Sequence, residues 1–137
     1  MKVQRAEHPA ILAGHEAARD FFATCFMGPE ALAHEMLWVA HVDDRGRCIH
    51  LGRYSDERTG AVDLPVRRII SDAARLGSAG VLLAHNHPSG DATPSNADCT
   101  ATRTLARAAE ALDLTVVDHL VFAERGQCSS LRRMGLL

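Results

Sequence analysis

The tract His85-Asn86-His87-Pro88-Ser89-Gly90-Asp91-Ala92-Thr93-Pro94-Ser95-Asn96-Ala97-Asp98 gathers the residue types best able to do chemistry in this chain. In extended backbone, residues two apart point the same way, so His85 and His87 project together while Asn86 faces elsewhere. Two neutral imidazoles converging from a strand end supply half of a tetrahedral zinc site. Asp98, one turn into the following segment, is placed to swing back as a third ligand. Two histidines and one aspartate leave a fourth position for water, as catalytic zinc sites do.

The same residues have ordinary uses. Ser95-Asn96-Ala97-Asp98 fits S-x-x-[DE], the pattern of a helix capping box. Thr93 as cap with Pro94 at the first helical position is an alternative start. A lone loop histidine is usually a surface histidine. Capping does not account for two histidines at strand spacing, after an apolar strand and before a helix with an early aspartate. The combination favours a metal site.

Asp118 and His119 are a second oddity, because they interrupt the otherwise apolar run Thr115 to Phe122. A buried charge or imidazole is costly without a partner. Two uses stand open: orienting a ligating histidine from the second shell, or a structural hydrogen bond to loop backbone. The other histidines, His8, His15, His34, His41 and His50, show no pattern that assigns them a role.

The elements that must position these groups are legible in outline. Ile11, Leu12, Ala18, Phe21, Phe22 and Cys25 recur at helical spacing, predicting a helix from about Ile11 to Phe26 that Gly28-Pro29 interrupts. A short helical piece, Glu30 to Glu35, is expected next. Met36 to Val42 reads as a strand, Asp43 to Gly46 as its turn and Cys48 to Tyr54 as the return strand. Gly60 to Asp63 suits a third short strand. A helix is predicted from Pro65 to Leu76, closed by Gly77 and Gly80. Val81 to Ala84 reads as a buried central strand, with a polar loop from His85 to Pro94. Ser95 to Leu112 is predicted helical and Thr115 to Phe122 a strand. The alternation implies an α/β fold, a mixed sheet flanked by helices.

The chain has 137 residues, enough for one domain with a core that buries roughly two thirds of the unfolded surface. Apolar residues make up 47% and charged residues 23%, the composition of a globular protein. No apolar run approaches the roughly 20 residues of a membrane helix, and no signal peptide is read at the N-terminus. Fifteen basic residues against seventeen acidic ones give a net charge of −2, where a stand-alone nucleic-acid binder would be clearly basic. The pairs Arg67-Arg68 and Arg132-Arg133 read as solvated faces. Cys25, Cys48, Cys99 and Cys128 form no CxxC pair and read as reduced thiols in or near the core of a cytoplasmic protein.

Length separates the metalloenzymes that use an HxH pair. The barrel amidohydrolases need about 250 residues, and the helix after this loop argues against an all-β cupin. His85-x-His87, seven residues, Ser95, two residues, Asp98 reproduces H-x-H-x(7)-S-x-x-D and resembles the JAB/MPN (JAMM) metalloprotease family. The tract HNHPSGDATPSNAD is similar to its RadC-type branch, whose members carry a DNA-repair label. The likeness extends to Val117-Asp118-His119-Leu120-Val121 and to Ser130 through Leu137, covering about Glu35 to the C-terminus.

The resemblance implies a single-domain α/β fold, a cytidine-deaminase-like three-layer α/β/α arrangement. It divides residues 1–137 into an N-terminal helical region, 1–34, and a catalytic core, 35–137. It implies one Zn²⁺ ion on His85, His87 and Asp98, and hydrolysis of peptide or isopeptide amides in a protein or peptide substrate. It also implies a catalytic glutamate upstream. Among Glu7, Glu16, Glu30, Glu35 and Glu57, Glu35 stands immediately before Met36 to Val42, where the family's glutamate falls. Ser95 is then expected to donate a hydrogen bond to the oxyanion.

RadC-type chains usually carry an N-terminal helix-hairpin-helix segment, for which this chain leaves no room. Pro65-Val66-Arg67 stands where the family has Pro-Arg-Glu. DNA is a possible partner that the charge balance does not support. A metal-dependent nuclease or DNA-processing factor and a non-catalytic MPN-type binding module are the alternatives. No pattern points to a particular substrate or oligomeric state.

Overall fold

The computed structural model describes residues 9–54 and 64–137. The third short strand expected at Gly60 to Asp63 lies outside them, as do Glu7, His8 and Glu57. The elements in chain order are α1 (His15–Ala23), α2 (Glu30–Ala33), β1 (Leu37–Val42), β2 (Cys48–Arg53), α3 (Val66–Leu76), β3 (Gly80–Asn86), α4 (Asn96–Glu110), β4 (Thr115–Phe122) and β5 (Cys128–Ser130). Short 3-10 turns cover Thr24–Phe26 and Glu124–Gly126.

The five strands form one sheet in the order β2-β1-β3-β4-β5. β3 and β4 run parallel, with α4 as their crossover, and the other pairs are antiparallel. All seven residues of β3 are buried. That follows from its position between two paired strands with helices on both faces, and explains its continuous apolar run.

Strand alternation sorts the core into two layers. Leu37, Val39, Val81, Leu83 and Val116 pack against Ile69 and Ala73 of α3 and Leu105 and Ala109 of α4. Ala40, Val42, Leu82, Ala84, Leu120 and Phe122 pack against Leu12, Ala18 and Phe22 on the α1 side. The result is a mixed sheet between two helical layers, the α/β architecture the sequence implied.

The differences from the expected elements have local causes. The first helix starts at His15, not near Ile11. Ile11 instead bridges Arg47, Leu12 N–H donates to Gly46 O (2.8 Å) and Cys48 N–H donates to Ala10 O (2.8 Å). The end of the β1–β2 hairpin therefore takes up this segment's polar backbone, leaving Ile11 60% exposed. Gly77 caps α3 with φ +67, whereas Gly80 is the first residue of β3 and not part of the helix stop. β3 continues through His85 and Asn86, where a loop was expected, because β1 and β4 both continue to pair with it.

Two polar residues make contacts that the sequence did not announce. Arg132 and Arg133 are exposed, as expected, and the Arg132 guanidinium also donates to Val117 O and to Val116 O (3.0 Å). His41 is fully buried and bridges Ser78 Oγ (2.9 Å) and Tyr54 Oη (3.0 Å); Tyr54 donates in turn to Asp72 (2.6 Å). The four cysteines are free, Cys99 buried and the others half-buried.

Candidate metal centre

The centre forms where β3 runs out. His85 lies in the strand, paired with Leu37 on one side and Val121 on the other, and is 1% exposed. His87 N–H donates to Phe122 O (2.7 Å), so the backbone keeps its direction beyond Asn86. The chain then turns. Gly90 N–H donates to His87 O (3.2 Å), closing a four-residue turn with Pro88 second and Gly90 last. Gly90 has φ +90, a conformation costly for residues with a Cβ. Asp91 Oδ1 accepts from Thr93 N–H (2.9 Å) and Thr93 Oγ1 (2.7 Å), which directs the chain into α4.

Ser95 caps α4. Its hydroxyl oxygen accepts Asp98 N–H (3.0 Å), and its own N–H donates to Asp98 Oδ2 (2.8 Å), so the capping box is complete. The same Oδ2 lies 3.4 Å from His85 Nε2 and 3.3 Å from His87 Nε2. The capping and metal readings of Ser95 and Asp98 are therefore not rivals. The cap holds the carboxylate against the two imidazoles.

Hydrogen bonds around the site fix where each ring proton sits. His87 Nδ1 meets Asp91 O at 2.8 Å, and a carbonyl can only accept, so Nδ1 carries the proton and neutral His87 offers a lone pair at Nε2. Thr102 gives its single hydroxyl proton to Asp98 O (2.7 Å), so Oγ1 must accept from His119 Nδ1 (2.7 Å). His119 is held neutral, its pKa pushed well down by burial and by the nearby His85. Its Nε2 is then an acceptor, so the 2.7 Å contact is a donation from His85 Nδ1–H. His85 is left with a lone pair at Nε2. With both imidazoles neutral, three electron-rich atoms converge, 2.9 Å apart between the two nitrogens and 3.3–3.4 Å from each to the carboxylate. A bound cation, or a proton on one of the two imidazoles, relieves that arrangement.

The spacing suits a cation. Tetrahedral bonds of about 2.0–2.1 Å put neighbouring ligand atoms roughly 3.3–3.4 Å apart. The two carboxylate–imidazole separations match that value, and the nitrogen pair needs only a small opening. His85, His87 and Asp98 together could hold a metal ion. Burial opposes ionisation of Asp98, but the hydrogen bond and charge of His85, with both Ser95 contacts, hold its carboxyl well below the usual carboxylate range. That carboxylate is already poised for a positive charge at Nε2.

Asn86, between the two ligands, faces the opposite way and ties down the entry to β1. Its amide nitrogen donates to Ala31 O (2.7 Å) and His34 O (3.0 Å), and its oxygen accepts Met36 N–H (2.7 Å). Glu35 sits between two residues held by this one amide. It is half-buried, and continuing the Leu37–His85 pairing by two residues sets it level with His87.

Asp118 and His119 divide between the two sides of the sheet. His119 supports His85. Asp118 accepts from Ser130 Oγ, His119 N–H (2.7 Å) and Arg132 N–H (3.1 Å) on the α1 side. A β-bulge makes the division: Val81 pairs with Val116 but Leu82 with Asp118, leaving Val117 as an extra residue. In regular register Leu83 would oppose Asp118, and the carboxylate would occupy the ligand-side face in place of His119. Arg132 binds the two carbonyls at this bulge.

Sequence reasoning missed three parts of the site. Thr102, one turn after Asp98, relays between helix and His119; its i, i+4 spacing from Asp98 was a usable signal. Asn86 and the Asp91 carbonyl were the others, and a backbone acceptor leaves no sequence signal. No helix among the described residues is long and apolar enough to cross a membrane. With the site so placed, comparison with known families adds one finding. The profile of the RadC-like JAB domain matches residues 13–136, nearly the whole chain, and the protein belongs to that family.

Proposed function

We propose that this domain is a zinc-dependent hydrolase of peptide or isopeptide amide bonds, with a protein or peptide as substrate. The convergence of two imidazole nitrogens and a carboxylate oxygen at the end of the sheet carries the reading. Two imidazoles and a carboxylate at tetrahedral spacing favour zinc over magnesium or calcium, which take six or more mainly oxygen ligands. Bound by His85, His87 and Asp98, zinc would polarise the scissile carbonyl and lower the pKa of water towards neutrality.

The chain's own residues supply the rest. The Glu35 carboxylate takes the proton from the attacking water and returns it to the leaving amide nitrogen. Ser95 Oγ already accepts Asp98 N–H, which leaves its O–H as a donor to the oxyanion of the tetrahedral intermediate. His119 keeps the His85 proton at Nδ1, so Nε2 stays available. Free cysteines suit a reducing compartment, and we assign the activity to the cytoplasm.

The test is metal content beside turnover. Purified protein should hold about one equivalent of zinc, lost in His87→Ala and Asp98→Ala. Glu35→Gln should keep the metal and lose hydrolysis. Metal content unchanged in the ligand variants overturns the site. A zinc-loaded protein inert towards peptide and isopeptide panels overturns the hydrolase reading in favour of a binding scaffold.

A further inference from the structure

Beside the metal centre, on the α1 side of the sheet end, is a shallow recess with about 300 Å³ of open space counting its mouth. His87 and Pro88 form one wall, and Phe26, Leu32 and Phe122 supply apolar surface. Leu32 is 64% exposed and leaves apolar surface open on that side. Asn86 also lines the recess, but its amide is consumed by the entry to β1, so it offers no recognition group.

The polar group available there is Glu124. Among the described residues no hydrogen bond or ion pair takes up its carboxylate. The carboxylate reaches towards the metal loop: Glu124 Oε2 lies 3.9 Å from where a Cβ on Gly90 would stand. The turn carrying it is built with care. Arg125 adopts φ +60 and ψ +30, a left-handed conformation unfavourable for a side chain of its kind. Ala123 N–H donates to Gln127 O (2.9 Å), and Arg19 of α1 reaches across to donate to Gly126 O (2.9 Å). Strained turns held by remote contacts concentrate where side chains must be aimed.

Apolar walls ending at an unpaired carboxylate match a long aliphatic stem with a cationic head. We propose that this recess is a specificity subsite for an arginine or lysine side chain of the peptide substrate, with Glu124 as its charge partner. The stem would lie against Phe26, Leu32 and Phe122, next to the residue that carries a metal ligand. The inference rests on the hydrolase reading for its purpose, though not for its test.

The test is binding without turnover. The full chain, ¹⁵N-labelled, is titrated with three acetylated, amidated tripeptides whose central residue is arginine, norleucine or glutamate. The arginine peptide should bind at least tenfold more tightly than the glutamate peptide, with shifts at Leu32, Phe122 and Glu124. Glu124→Gln should bring that ratio to within about threefold, and Glu124→Lys should reverse it. Leu32→Ala should weaken the arginine and norleucine peptides alike. Equal affinities, a preference that survives Glu124→Gln, shifts confined to other surfaces, or no saturable binding would each overturn the subsite. An arginine preference in a protein that cleaves nothing would leave the subsite standing and remove the hydrolase reading instead.

Discussion

His119→Leu isolates the group that fixes the proton on His85. The substitution roughly conserves volume in a fully buried position, so packing loss is small. It removes the acceptor at 2.7 Å from His85 Nδ1 and the donor to Thr102 Oγ1. A buried donor left unsatisfied costs about 1–3 kcal/mol. For a chain of this length that lowers the melting temperature by about 3–10 °C without metal. The second effect is on the ligand. With no partner at Nδ1, His85 can move its proton to Nε2 and turn its ring. Loss of such a supporting bond costs about 10–100-fold in metal affinity. Competition titration with a chromophoric chelator measures the affinity, and melting with and without chelator measures the fold. Zinc affinity within twofold of the parent, in a variant that folds, would refute the proton assignment and the supporting role of His119.

Three further outcomes follow from the contacts. Burial, then the charge of His50, holds His41 at about 4 instead of 6.5. Between those values the unfolded chain takes up a proton that the folded one refuses, so stability should fall by about 3 kcal/mol as pH drops from 6.5 to 4; urea melts across that range on the parent and His41→Gln check it, the variant giving the flatter curve. Arg132→Ala strips two bonds from the carbonyls at the bulge and should cost about 1–3 kcal/mol in urea unfolding, with amide shifts spreading from Val117 to His119. Ser95→Ala removes the cap oxygen while leaving its N–H on Asp98, so it should cost about 1 kcal/mol of stability and keep zinc within a few-fold by chelator competition.

Much of the frame was readable because local signals agreed with tertiary demands. Val81 to Ala84 is apolar throughout, and only a strand covered on both faces uses such a run. Asp43 to Gly46 ends in a glycine with φ +76, as the expected hairpin turn requires. The S-x-x-D pattern placed the start of α4 to within a residue. The failures came where remote partners decide. Nothing near Ile11 announces that its neighbours will pair with Gly46 and Cys48, and helical spacing alone extended α1 too far. His41 looked idle because its partners, Tyr54 and Ser78, come from other elements. The bonds of the exposed Arg132 left no local signal because its acceptors are backbone carbonyls 15 and 16 residues earlier.

The chain's own order of residues determined which atoms can meet at the end of β3. Two histidines at strand spacing and an aspartate one turn into a capped helix bring their side chains together by local geometry. Tertiary structure decided the protonation of those atoms and the support behind them. His87 Nδ1 is fixed by a carbonyl four residues away across a turn, and His85 Nδ1 by an imidazole 34 residues away. That imidazole faces the site because one extra residue at Val117 rotates β4 by half a period. Strand alternation has period two, so Asp118 and His119 must face opposite ways. Which of them meets His85 is set by register between strands, a property of the assembled sheet that no single strand encodes.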